Sequence, residues 1–240
     1  MKRVLMLLLS ALVLSVLVTN NATAALEVRG SGVIAGGDGT PYQLIYDTAQ
    51  DITWFDYSNA LGSWGIQDAW ASGLVVQFEG MDLDQWRLPR TFEEFADLDQ
   101  GFGYEGPVGV DGYYDYAWGY NMVNSELGHL YYETLGNLGY YATDGTWPQD
   151  GWENQDLGVF AELQDNWYWH ETKYSPDPEF MAWYFDFDEG LHGFQNTGIS
   201  RLGIAVMDGN ISAQSEVPLP AAIWLFAAGL AGLAGFRKRP

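Results

Sequence analysis

Two apolar segments, each beside positive charge, bound this chain and limit what can fold between them. At the start, Lys2 and Arg3 precede an apolar run from Val4 to Val18, and Ala22-Thr23-Ala24 follows as a small-residue cleavage site. That order of charge, apolar run and A-x-A site is the order of a secretory signal peptide. At the other end, Val217-Pro218-Leu219-Pro220 opens an uncharged stretch that stops at Arg237-Lys238-Arg239. The 20 residues from Val217 to Phe236 have the length needed to cross about 30 Å of hydrocarbon. Gly229, Gly232 and Gly235 sit three apart, a spacing that permits close helix approach. Positive charge is retained on the cytoplasmic side, so the residues between the two ends are expected to be translocated. The expected organisation is a signal peptide at 1–24, an exported domain at 25–216 and a tail with a transmembrane helix at 217–240. A permanent tail anchor is the competing reading of the last segment.

The middle 192 residues suffice for one domain with its own core. They hold all 32 acidic residues, because none lies in either end. Of the ten Lys and Arg, Lys2, Arg3, Arg237, Lys238 and Arg239 belong to the ends, which leaves five: Arg29, Arg87, Arg90, Lys173 and Arg201. The domain therefore carries a net charge of −27, 5 positive against 32 negative. Nucleic-acid affinity rests on Lys and Arg neutralising phosphates, so nucleic acid is excluded as a partner. Acidic polysaccharides are disfavoured in the same way unless a divalent cation intervenes. Such charge can mark disorder, but the aromatic content argues for a packed domain. The 11 Trp, 15 Tyr and 12 Phe all lie in it except Trp224, Phe226 and Phe236. There is no cysteine, so neither disulfides nor thiol chemistry is available.

Gly-rich turns and aromatic strands predict a compact, loop-rich α+β or β-rich domain. Leu26 to Ala35 alternates as a strand, and Tyr42–Tyr46 with Asp51–Phe55 reads as a hairpin around Asp47–Gln50. Ile66, Ala69, Trp70, Leu74 and Phe78 fall at helical offsets and predict an amphipathic helix over 66–78. Asp84–Leu88 is expected as a short strand. Thr91-Phe92-Glu93-Glu94 has the form of a capping box opening a helix to about Leu98. Gln100–Ala117 and Asp144–Gln155 read as loops, and Asn124–Leu138 as a second helix. Trp167–Lys173, Met181–Phe187 and Leu202–Met207 read as strands rich in aromatic and β-branched residues, with Asp188-Glu189-Gly190 as a turn between two of them.

The tail resembles the PEP-CTERM sorting signal of exported Gram-negative proteins, written V-P-x-P-A-A, then a helix, then a basic cluster. Val217, Pro218, Pro220, Ala221, Ala222 and the basic cluster Arg237, Lys238 and Arg239 carry the match, with Leu219 at the variable position. The resemblance implies an exosortase-type membrane protease as partner, a transient inner-membrane anchor, removal of the tail, and release to the cell surface or matrix.

The middle carries a second resemblance. Asp51-Ile52-Thr53-Trp54, the Trp70 helix, Trp86-Arg87-Leu88-Pro89, Ser125–Tyr132, Tyr168-Trp169, Ala182–Phe187 and Ile204–Gly209 occur in order. This succession is similar to the WRLP-type, Lcl C-terminal-like domain of exported bacterial proteins and a collagen-like adhesin. It implies a C-type-lectin-like fold with two main helices and a twisted antiparallel sheet, and in some members an adhesive or carbohydrate-binding role. The closing strand of that family carries a basic residue where this chain has Met207. The Trp86–Pro89 segment is also similar to the formylglycine-generating enzymes, which need Cys. Related iron enzymes need three His, and here His129, His170 and His192 lie on segments with no evident convergence.

Within Trp86-Arg87-Leu88-Pro89 the expected roles are structural: Trp86 in the core, and Arg87 bidentate to a carboxylate such as Glu93 or Glu94. A ligand clamp is the alternative for Arg87. Asp82/Asp84, Asp97/Asp99 and Asp186/Asp188 offer oxygen pairs for Ca²⁺, though none completes a calcium loop, so the metal ligands are unknown. The preferred expectation is a non-catalytic surface or matrix protein in adhesion or in exopolysaccharide and biofilm organisation. The alternative is an extracellular carbohydrate-active enzyme using paired carboxylates.

Overall fold

The computed structural model describes residues 25–91 and 119–211. The expected signal peptide, the expected sorting tail, the helix expected after Thr91, the loop expected at Gln100–Ala117 and the Asp97/Asp99 pair lie outside the described residues. Among those described, no helix is long and apolar enough to cross a membrane.

The domain is mostly sheet with few helices. Among the described residues nine strands run β1 Leu26–Ile34, β2 Pro41–Asp47, β3 Ile52–Gly62, β4 Val76–Phe78, β5 Met81–Leu83, β6 Trp167–Lys173, β7 Met181–Asp186, β8 Leu191–Asn196 and β9 Arg201–Asp208. Their order across the sheet is β5-β4-β1-β2-β3-β9-β6-β7-β8. Neighbours pair antiparallel except β6 and β9, which meet parallel at Tyr168 and Leu202. Helix α1 spans Trp64–Ser72, and α2 spans Glu126–His129 and continues as a π-helical turn, Leu130–Thr134. Ser125 caps α2, its hydroxyl accepting from the Gly128 N–H at 3.0 Å.

The central strands bury both faces, which their side-chain alternation requires. Ile45, Trp54, Tyr168, Phe185, Ile204 and Val206 pack on one side with Leu127, Leu130 and Tyr131 from α2 and the turn after it. Leu44, Phe55, Trp169, Tyr184 and Ala205 face the other way, against Ala71 of α1 and against Leu74, Trp86 and Leu88.

Four expectations are corrected. The apolar series over 66–78 is not one helix. Gly73 ends α1, its N–H bonded to Ala69 O, and Leu74, Val76 and Phe78 are buried at the two-residue period of a strand. The expected strand at 84–88 lies instead at Met81–Leu83, after a turn through Glu79 and Gly80 at positive φ. Arg87 then makes a single bridge to Val206. The second helix occupies only 126–134 of the expected 124–138. Finally, β8 follows the 188–190 turn where no strand was expected; its Gly193 packs beneath Tyr184, whose ring stands 2.7 Å from where a Cβ would be.

Candidate functional site: an aromatic face beside the β7–β8 turn

The irregular segments on either side of α2 and its π-helical turn, 119–125 and 135–152, bring together five rings. Tyr141 lies over Trp147 at 5.8 Å between centroids and 29° between planes. Tyr120 approaches Tyr141 at 4.9 Å, and Tyr140 meets Trp152 edge-on at 4.9 Å. Tyr140 also touches Tyr141 and Trp147, at 5.4 and 6.3 Å. Backbone bonds hold the segment: Ala142 N–H donates to Thr146 O, Gln149 N–H to Tyr140 O, and Tyr140 N–H to Glu189 O. The tip turns because Asp144 Oδ1 accepts from the Thr146 N–H at 2.9 Å and Gly145 takes a φ of +88°. The same Thr146 bonds hold the Asp144 carboxyl below its ordinary pKa, so it remains anionic.

Trp147 is 57% exposed although aromatic neighbours stand ready to cover it, and Leu138 is also exposed. The other four rings are half-buried and form its support. Tyr120 donates its hydroxyl to Glu189 Oε2 at 2.8 Å. Burial, then that bond and the Glu189 charge, push its pKa up, so the hydroxyl stays protonated. Asp186 sits under the same turn, 2% exposed, with Oδ1 accepting from the Asp188 N–H at 2.9 Å. Burial raises its pKa to about 7, against the Asp188 amide and with help from the Glu189 and Asp188 charges.

Trp86-Arg87-Leu88-Pro89 lies elsewhere and is structural in form. Trp86 and Leu88 are buried in the core. Arg87 is paired bidentately, but its partner is Glu126, with Nη1–Oε2 and Nη2–Oε1 both 2.8 Å, and Asp208 is a second partner. The expected partners Glu93 and Glu94 lie outside the described residues. Burial opposes the guanidinium charge, yet the Glu126 and then Asp208 bonds outweigh it and raise its pKa. Glu126 Oε2 also accepts from the Arg90 N–H at 2.7 Å, so this carboxylate ties α2 to the strand-like Arg87 segment.

The five domain cations are all engaged. Arg29 pairs with Glu27, and Arg90 with Glu171 and Asp208. Lys173 lies 3.5 Å from the Trp64 ring centroid, and Arg201 sits over Trp167 and Tyr184.

The histidines also correct an expectation: two of them converge. His170 of β6 and His192 of β8 have ring centroids 5.1 Å apart. His192 stacks on Trp183 and bonds Thr91 Oγ1 at 3.1 Å. Among the described residues, neither ring nitrogen of His170 has a hydrogen-bond partner. Burial, then the neighbouring His192, push its pKa well down against the nearby Pro89 and Arg90 backbone. His129 stands apart, beside Thr134. Among the described residues, no group of three or more His, Cys, Asp or Glu is arranged to hold a metal ion. The pairs do other work: Asp186 caps its own turn, and Asp82 accepts from Gln77.

No family model matches this chain, nor does any curated protein or solved structure.

Sequence reasoning misses the aromatic face. Its signal is there in Tyr120, Tyr140-Tyr141, Trp147 and Trp152, five large rings that fall before and after the helical elements at 126–134 and outside any helix or strand.

Proposed function

We propose that this is an exported, non-catalytic surface or matrix protein that binds extracellular polysaccharide, and that its tail directs an exosortase-type protease. The single observation that carries the binding role is the supported and exposed Trp147 in a cluster of five touching rings. A large ring held out to water on a rigid base costs hydration that a ligand recovers. The ordered sorting motif Val217–Pro220 with Arg237–Arg239 supports export and release. The fold we infer is C-type-lectin-like. Its supports are two short helical elements on a mainly antiparallel sheet and the Trp86–Pro89 crossing into the core.

The enzyme reading draws on carboxyls whose pKa burial raises: Asp165, Asp68 and, most of all, Asp186. The Asp186 carboxyl is 2% exposed and bonded to its own turn, whereas glycoside hydrolysis needs two carboxyl groups about 5–9.5 Å apart around a substrate. The test is a glycan array probed with the full chain in a detergent without a sugar head group, with and without Ca²⁺. Retained polysaccharides should be recovered at unchanged length. Shorter products would establish the enzyme reading, and failure to retain any glycan would overturn the binding role.

A further inference from the structure

We propose that the face made by Tyr140, Tyr141, Trp147 and Trp152 is the polysaccharide site, and that its ligand is a neutral polymer of pyranose rings with equatorial hydroxyls. This rests on the binding role above and assigns it a place and a ligand chemistry. A sugar ring whose hydroxyls are equatorial presents flat C–H faces, which stack on an aromatic face, while its edge presents hydroxyl donors. Trp147 supplies the exposed face, and Tyr141 and Tyr140 brace it from behind and beside. Asp144, Asp150 and Glu153 are exposed along the same segment, and carboxylates accept from sugar hydroxyls.

Charge decides the class of polymer. The exported domain carries −27, and each of its five cations is already engaged within the fold. None of the five lies in the segment that carries the rings. An anionic polymer would meet carboxylates with no cation at hand to oppose them. A neutral one loses nothing to repulsion and gains both stacking and hydroxyl bonds.

The experiment uses the full chain in the same detergent, titrated with soluble neutral β-linked gluco- and xylo-oligosaccharides and with polygalacturonate as the anionic probe. Binding is read by calorimetry and by Trp fluorescence. The expected result is binding of a neutral oligomer, about tenfold or more weaker in Trp147→Ala, since hot-spot rings cost more than about 1.4 kcal/mol when truncated. Trp167→Ala is the control: its partly exposed ring packs on Tyr184 and under Arg201 instead of in the cluster, and this variant should bind as the parent does. Unchanged binding in Trp147→Ala would overturn this assignment while leaving the polysaccharide role intact. Tighter binding of polygalacturonate would overturn the neutral class. Binding of no oligosaccharide would overturn both readings together. Melting curves of each variant separate loss of the site from loss of the fold.

Discussion

Replacing Arg87 with Ala removes the cation that joins three separate parts of the fold. The guanidinium bonds both oxygens of Glu126 on α2, Asp208 at the end of β9, and the Leu88 carbonyl beside it. Its side chain is 12% exposed and that of Glu126 is 7%, so this pair belongs with buried ion pairs. Surface pairs contribute only about 0–1 kcal/mol, but removing one partner of a buried pair costs about 3–5 kcal/mol because the other charge is stranded. For a domain of about 150–250 residues, each kcal/mol lowers Tm by about 2–4 °C. Arg87→Ala should therefore melt roughly 6–20 °C below the parent in a near-ultraviolet circular dichroism scan. Arg87→Lys should fall between, because an ammonium cannot make the two-pronged contact. Arg87→Met combined with Glu126→Gln should lose less than Arg87→Ala alone. Neither charge is then stranded, and the carboxamide oxygen introduced on α2 can still accept from the Arg90 N–H. Melting of Arg87→Ala within about 2 °C of the parent, less than a single kcal/mol would produce, would refute the structural role and return Arg87 to the ligand-clamp reading.

Asp186→Asn should stabilise the domain at neutral pH. The folded carboxyl has its pKa raised from 3.8 to about 7, so its stability is fully present below about pH 4 and is lost as pH rises to 7. At about 1.4 kcal/mol per unit, the Asn variant gains at most about 4 kcal/mol above pH 7 and nothing at pH 4; an equal gain at both pH values would sink the idea. His170→Phe should flatten a loss of stability in acid. The folded ring has its pKa depressed, so its contribution holds above about pH 6.5 and falls by about 1.4 kcal/mol per unit below it. The parent should lose stability relative to this variant as pH falls below about 6.5, and parallel curves would contradict it. Gly193→Ala should cost about 1–3 kcal/mol, because its Cβ would meet the Tyr184 ring at 2.7 Å; a melt matching the parent's would show that the ring moves aside.

The strands with unbroken apolar runs were the legible part of the fold. Trp54-Phe55 and Tyr168-Trp169 each send one ring to each face of the sheet, so both residues of the pair had to be apolar. The 66–78 stretch misled because Trp70, Leu74 and Phe78 satisfy a helical spacing, while Leu74, Val76 and Phe78 equally satisfy a strand. Gly73 was the local signal that separated them. The strand at 191–196 was hidden by His192, Gly193 and Gln195, whose polarity and small size suit an edge strand packed on Tyr184 and Trp183. At Arg87 the two-pronged pairing was legible in the residue type. The partner was not, because Glu126 lies 39 residues away and only the fold brings it close. The meeting of His170 and His192 and the ring cluster around Trp147 are likewise long-range, set by β6, β8 and the turn at Glu189.

The proposed export with removal of both ends underlies every role proposed for the domain. The most direct measurement is the intact mass of the chain recovered from a host that carries an exosortase. The account predicts a released form that begins near Ala25 and ends within or before Val217–Pro220. It also predicts that a Pro218→Ala, Pro220→Ala double variant stays full-length in the inner membrane. A released parent that keeps Arg237–Arg239, or a double variant released as efficiently as the parent, would contradict it.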